Sequence, residues 1–296
     1  MNSTYISMAL LPPAIGVIMF GLGLSLTLAD FARVVRYPRA VIVGLLVQTL
    51  VLVAVAFAIT RLFALPPLLA VGLMLLAASP GGVMANVFSH LAHGDVALNI
   101  TLTAINSLLA LVWLPLVMNL ALGYFLGAEH YVPPPTQKII EVATFIVLPV
   151  IVGMLVRRLW AALAQRAEHP VRVASVLLLA CVVALSIAGS RETIAADFAA
   201  VGLACLLFNL ISMALGYAIP RLAGLPVRQS ISISFEIGVH NAAVAIFVAM
   251  QILKENDAAV PAAIYGLVMI TTGSMACVWL RRRHARNSAI AGQVQV

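Results

Sequence analysis

The chain has 296 residues, a net charge of +7, 63% hydrophobic residues and only 9% charged ones, with a mean hydropathy of +1.11. Soluble domains carry about a quarter charged residues, so too little charge is present to cover a water-facing surface, and a soluble enzyme or binding domain is excluded. Apolar runs of about 20 residues, enough to cross a hydrocarbon core of roughly 30 Å, recur along the whole length and predict an all-α polytopic membrane protein.

Nine crossings are predicted, at about residues 8–28, 39–60, 66–92, 96–125, 137–158, 170–189, 197–219, 226–253 and 258–280, joined by short loops. The first run has no basic residue ahead of it and no small-residue cleavage site behind it. It reads as a span rather than a removable leader. The third span is interrupted by Ser79-Pro80-Gly81-Gly82, where proline removes a backbone donor and the glycines weaken the helix. The eighth is interrupted around Glu236-Ile237-Gly238-Val239-His240-Asn241. Each half has about 12 residues, roughly 18 Å, and cannot cross alone. The two interrupted spans lie five crossings apart and so run in opposite directions. Broken spans at matching places in inverted halves point to a binding site at the membrane midplane. Counted this way the halves hold four and five spans, the first lacking its opening helix.

Basic residues set the orientation. Arg33, Arg36, Arg39, Arg157, Arg158, Arg166, Arg172, Arg221, Arg228, Arg281, Arg282, Arg283 and Arg286 fall on one side, and Arg61, Lys138, Arg191 and Lys254 on the other. The positive-inside rule puts the first group in the cytoplasm, with the N-terminus outside and residues 281–296 as a cytoplasmic tail. This distribution accounts for the net charge without nucleic acid. Cys181, Cys205 and Cys277 lie in apolar runs without ligand spacing and read as packing residues.

Among the ten acidic residues, Glu236 alone falls near the centre of a span. Glu141 lies one turn inside the fifth span, where Lys138 can pair with it, and Asp95 reads as the N-cap of the fourth. An intramembrane carboxylate needs a counter-charge. No Lys or Arg lies at similar depth, so a metal cation or a proton must supply it. His240, four residues on, is the only histidine at depth; a hydrogen-bonded Glu236–His240 pair that merely fixes helix packing is the structural alternative. The fourth span carries Asn99, Thr103 and Asn106 at i, i+4, i+7, with Ser107 beside them. Such a stripe often only joins helices. Beside Asn86, Gln48 and Glu236, the same oxygens suit a small hard cation, and an unwound helix adds carbonyls. Half-helix N-termini at Gly82-Val83 and near His240-Asn241 favour an anion.

At these residues the sequence resembles the bile acid:sodium symporter family. The resemblance runs over most of the chain, from Gly16–Leu28 and Asp30-Phe31 through Tyr37-Pro38-Arg39, Gly44–Gln48, Ala78–Asn86 and Leu91–Leu98 to Glu236–Asn241. It implies inverted repeats with two broken helices crossing in a core domain (about 39–125 and 197–280) beside a panel domain (about 8–28 and 137–189). It implies a first sodium site at Asn86, Thr103 and Glu236. A second would use Gln48, Glu236 and the backbone carbonyls of Ile237 and Val239. Substrate would lie near Val83 and Asn241. The sequence departs from the family at Ala85, Asn99 and His240, where Ser, Ser and Gln are usual. Asn99 offers an amide oxygen in place of the hydroxyl lost at Ala85. His240 puts an imidazole, a poor sodium ligand that ordinarily titrates near pH 6.5, at the second site, which is expected to be weak or open to proton competition.

The expected function is sodium-coupled symport of an organic anion, bile-acid-like, steroid or small carboxylate, by alternating access at the inner (plasma) membrane. Sodium serves as coupling ion with no other cofactor, and neither nucleic acid nor an obligate protein partner is implied. A proton-coupled carrier using Glu236 and His240 is the alternative. An intramembrane enzyme lacks a second buried acid, a Ser/Lys pair or a His-x-x-x-His pair. A non-transporting sensor would differ from a carrier in failing to support counterflow.

Overall fold

The computed structural model describes residues 3–127, 136–189 and 191–293, and all their regular elements are helical. Helix α1 (Ser3–Ser25) turns by 69° into the short α2 (Leu28–Ala32). Asp30 holds that corner: its carboxylate accepts from the Thr27 N–H and hydroxyl, at 2.6 and 2.7 Å, and pairs with Arg33. α3 (Pro38–Leu46), a π turn (Val47–Val51) and α4 (Leu52–Leu62) form one continuous helix. α5 (Pro67–Ala78) and α6 (Val83–Leu91) are the halves of the first broken span, and the unbroken α7 (Val96–Phe125) follows. Then come α8 (Thr136–Leu159), α9 (Ala161–Gly189) and α10 (Arg191–Leu222). The second broken span is α11 (Val227–Gly238) and α12 (Ala242–Phe247), the latter extended by a π stretch to Leu253; α13 (Val260–Gln293) closes the chain.

Among the described residues, Pro38–Leu62, Val96–Phe125, Ala199–Leu222 and Asp257–Arg282 are each long and apolar enough to cross a membrane, and the bent α1–α2 pair makes a fifth. The surface pattern is that of a protein in lipid. Leu108, Val112, Leu116, Leu120 and Tyr124 form an exposed stripe at helical spacing on α7, and Leu148, Ile151, Leu155 and Leu159 form one on α8. Polar side chains are buried instead, Gln48, Asn99, Thr103, Asn106, Asn209 and Glu236 among them. The chain is thus a multi-pass membrane protein.

Several boundaries differ from the predicted ones. α9 begins at Ala161 instead of about 170, α10 at Arg191 instead of about 197, and α13 runs to Gln293 instead of ending near 280, so the expected tail is helical that far. Hydropathy marks only the membrane-buried part of a helix. The flanking stretches are polar but rich in Ala, Arg, Gln and Glu, which propagate a helix beyond the hydrocarbon. The Lys138–Glu141 pairing falls outside the described side chains. Of the cysteines, Cys205 and Cys277 are buried packing residues, whereas Cys181 is exposed.

Two packing groups stand out. α1, α8 and α9 pack on one another. α1 and α8 meet backbone to backbone: a Cβ on Gly23 would strike the Val150 carbonyl, and one on Gly153 would strike the Phe20 carbonyl. In the other group α11 lies against α6, α7 and α10, with α5 on α7 and α10 on α13.

Candidate functional site

The two breaks touch. The Gly82 N–H donates to the Val239 carbonyl and the Asn241 N–H to the Pro80 carbonyl, both at 2.8 Å, in an antiparallel bridge between Gly81 and His240. Pro80 and the glycines stop α5 without leaving its end unsatisfied, because the partner break supplies the missing hydrogen bonds. The second break is shorter than the sequence suggested. Glu236 still sits in the last turn of α11, and only Val239–Asn241 leave the helix.

Glu236 is 1% exposed. Its carboxylate accepts from the Thr103 hydroxyl at 2.6 Å and the Asn106 amide at 3.1 Å, both on α7. It also lies so close to Gly81 that a Cβ there would collide with it; the glycine lets the carboxylate nest against the first break. Among the described residues no Lys or Arg is buried, so none of those side chains balances an ionised acid there.

Around it the amide oxygens are left over. The Asn99 amide NH₂ donates to the Ser232 carbonyl at 2.8 Å, that of Gln48 to the Ser79 carbonyl at 3.0 Å, and that of Asn106 to Glu236. These bonds fix which end of each amide is nitrogen. The oxygens of Gln48, Asn86, Asn99 and Asn106 are buried and accept nothing. Burying an unpartnered acceptor costs about 1–3 kcal/mol, so four of them on the helices around the crossing is an expensive arrangement for packing alone. Carboxylate and amide oxygens with no soft ligand are the donor types that a small, hard cation prefers.

The other predicted residues fall on the same crossing. The Val239 carbonyl already accepts from Gly82, and the Gln48 side chain is delivered by the π turn of its span. His240 and Glu236 share no hydrogen bond among the described residues. The imidazole Nδ1 faces the Ser79 carbonyl at 3.2 Å, Nε2 is buried without a partner, and the ring stacks on Phe208. The expected anion-binding N–H groups need correction at Gly82 and Asn241, whose amides are donated across the crossing. The Asn241 side chain caps its own helix by accepting from the Val244 N–H. Among the described residues the N–H groups of Val83 and Met84 have no protein acceptor. These two residues line a small cleft of about 60 Å³, bordered also by Ile18, Gly21, Glu168, Ser175, Asn241 and Met269 among others. The cleft lies where the α1–α8–α9 group meets the crossing. Asp95 caps α7 as predicted, accepting from the Leu98 N–H at 3.1 Å.

A model of the sodium bile acid symporter family matches residues 12–197. The chain belongs to that family. It is 30% identical over 288 residues to a Bacillus subtilis protein described as an uncharacterized sodium-dependent transporter, covering 97% of this chain and 86% of that one. A rice protein described as a probable chloroplastic sodium/metabolite cotransporter is 29% identical over 282 residues, 95% of this chain and 66% of its own length. The human ileal sodium/bile acid cotransporter is 26% identical over 232 residues, 77% of this chain and 65% of its own. The chain therefore spans just under two thirds of the rice and human relatives. The family is one of sodium-coupled transporters, not enzymes.

In this symporter the structure also brings in residues that sequence reasoning missed. The Asn209 amide on α10 donates to the Gly238 carbonyl at 2.8 Å, the Tyr265 hydroxyl donates to the same carbonyl at 2.8 Å, and the Thr272 hydroxyl donates to the Asn209 oxygen at 2.6 Å. Each is a polar group inside an apolar run, the signal that marked Asn99 and Gln48. Their pairing with Gly238 is a tertiary fact that no local pattern carries.

Proposed function

We propose that the chain is a sodium-coupled symporter of a carboxylate-bearing organic anion, working by alternating access across the plasma membrane. In this reading the chain crosses nine times as inverted halves of four and five spans, N-terminus outside and C-terminus in the cytoplasm. The α1–α8–α9 group is the panel, and the helices around the crossing are the core. Sodium binds at Glu236 with Asn86, Thr103 and the Asn99 amide oxygen; Gln48, Ile237, Val239 and His240 flank a second, weaker position. The anion binds in the adjoining cleft, near Val83 and Asn241. Cation charge at Glu236 then stabilises the crossing in the form that binds the anion, and core and panel move relative to each other.

The observation that supports this most is the buried Glu236 carboxylate with four buried, unpartnered amide oxygens on the helices around the crossing and, among the described residues, no buried Lys or Arg to neutralise it. The cleft beside it, with the free Val83 and Met84 N–H groups at a helix N-terminus, supports an anionic co-substrate. His240 supports one strong sodium site rather than two, because its Nδ1 is engaged with Ser79 and no side-chain oxygen replaces the usual amide.

Reconstitution tests the reading. Proteoliposomes with an inward sodium gradient should accumulate labelled carboxylates from a panel running from pyruvate to cholate, and should support counterflow once the gradient is collapsed. A potassium gradient should give background uptake. Accumulation that ignores sodium and follows a proton gradient would overturn the sodium assignment.

A further inference from the structure

The largest cavity described lies away from the crossing, at the corner between α1 and α2. It is a groove of about 690 Å³ lined by Leu26, Thr27 and Leu28 from the corner, Ile151, Met154 and Leu155 from α8, and Arg157, Arg158, Ala161 and Gln165 from the α8–α9 junction. The 69° turn between α1 and α2 opens it, since α2 leaves the bundle axis where α8 continues.

Its two ends differ in chemistry. At one end Leu28, Ile151 and Leu155 are 63%, 49% and 53% exposed and continue the apolar stripe of α8. A hydrocarbon chain can enter there from the bilayer without meeting water. At the other end are two arginines. Arg157 is already engaged, donating to the Leu24 carbonyl at 3.1 Å and pairing with Glu168 at 3.4 Å. Arg158 has no hydrogen bond or ion pair among the described residues. The exposed Trp160 follows it, and such a ring belongs at the boundary between hydrocarbon and headgroups. An uncompensated guanidinium at headgroup level, closing an apolar groove open to lipid, is complementary to one class of molecule.

We propose that this groove is a binding site for an anionic phospholipid, with the headgroup phosphate on Arg158 and an acyl chain along Leu28, Ile151 and Leu155. Basic pockets between membrane helices hold acidic lipid headgroups in this way, and the guanidinium fork matches a phosphate in two-point contact. A lipid so placed joins the α1–α2 corner to α8 and α9, inside the group of helices that faces the crossing. The proposal rests on the protein lying in a membrane and not on its ion or substrate.

The test is native mass spectrometry of the full chain released from nanodiscs of equal parts phosphatidylglycerol and phosphatidylcholine. The wild type should retain the acidic lipid over the zwitterionic one by about five-fold, the worth of one arginine near a charged surface. Arg158→Gln should bring the ratio near one. Arg166→Gln, which removes an exposed charge outside the groove, should keep the wild-type ratio. Leu155→Trp, which fills the apolar half, should lower retention of both lipids and covers the case in which Arg158→Gln fails to fold. Glycerol phosphate, a headgroup without chains, should not displace the retained lipid; displacement would show a soluble-anion site instead. Equal retention of the two lipids by the wild type, or undiminished preference in Arg158→Gln, would overturn the proposal.

Discussion

The two breaks at the crossing are built alike and finished differently. In each, a side-chain amide from a neighbouring span clamps the carbonyl where the first half-helix ends: Gln48 on Ser79 at 3.0 Å, and Asn209 on Gly238 at 2.8 Å. Around the second break the clamp is closed. The Asn209 oxygen accepts from Thr272, Tyr265 adds a second donor to Gly238, and the residues from Ala242 to Met250 are all buried. Around the first break the clamp is open. The Gln48 oxygen accepts nothing, nor do those of Asn86, Asn99 and Asn106, and α6 beyond it is only half-buried at Val83, Met84 and Asn86. The satisfied network holds the crossing together, whereas the unsatisfied one is where, in the function proposed above, a cation completes the structure. Glu236, carried by the second broken span, reaches into the open set.

If that contrast is right, removing charge from the open side should have the largest effect. Glu236→Gln should abolish sodium-driven uptake and weaken sodium binding by about 100-fold, roughly 2.7 kcal/mol, while the helix crossing survives. Gly81→Ala should come close to it, because the new Cβ must push the carboxylate away; the readout is loss of the sodium-induced rise in melting temperature. On the closed side the effect should be of another kind. Asn209→Ala removes one of the two donors to the Gly238 carbonyl and the link to Thr272, whose hydroxyl keeps its bond to the Val268 carbonyl. It should destabilise the fold by about 1–3 kcal/mol, measured by denaturant titration in mixed micelles, with sodium affinity of the folded fraction unchanged. Asn99→Ala should cost about ten-fold in sodium affinity, roughly 1.4 kcal/mol, with transport of the anion retained at high sodium. The mildest change is His240→Gln, which restores an amide beside Ser79. It should steepen the sodium dependence of uptake, which in the wild type should follow a single-site curve. A closed-side variant that lost sodium affinity, or an open-side variant that lost only stability, would erase the distinction.

Much of this was legible before any fold was known, because each signal is a local anomaly. A carboxylate at Glu236, a Pro-Gly-Gly at residues 80–82 and a spaced Asn99, Thr103, Asn106 stripe stand out in apolar runs. The order and spacing of the breaks pointed to a midplane site, and the resemblance to the bile acid:sodium symporter family implied that they cross. What the sequence could not carry is which half of each amide is taken. Asn99 and Asn209 look alike in the chain, and only the fold shows one with a free oxygen and the other fully bonded. The same limit explains Gly82 and Asn241, whose N–H groups were expected to serve an anion and instead serve each other's breaks. The extra turns of α9, α10 and α13 were hidden because hydropathy detects lipid contact rather than helix.

The central claim is that Glu236 and the open amide oxygens bind sodium. It is tested most directly by the melting temperature of the purified protein as NaCl replaces choline chloride at constant ionic strength, with Glu236→Gln measured alongside. A ligand that binds only the folded state raises stability by mass action. The account predicts a saturable, sodium-specific rise in the wild type that is absent in the variant. A melting temperature indifferent to sodium, or a rise that persists in Glu236→Gln, would contradict it.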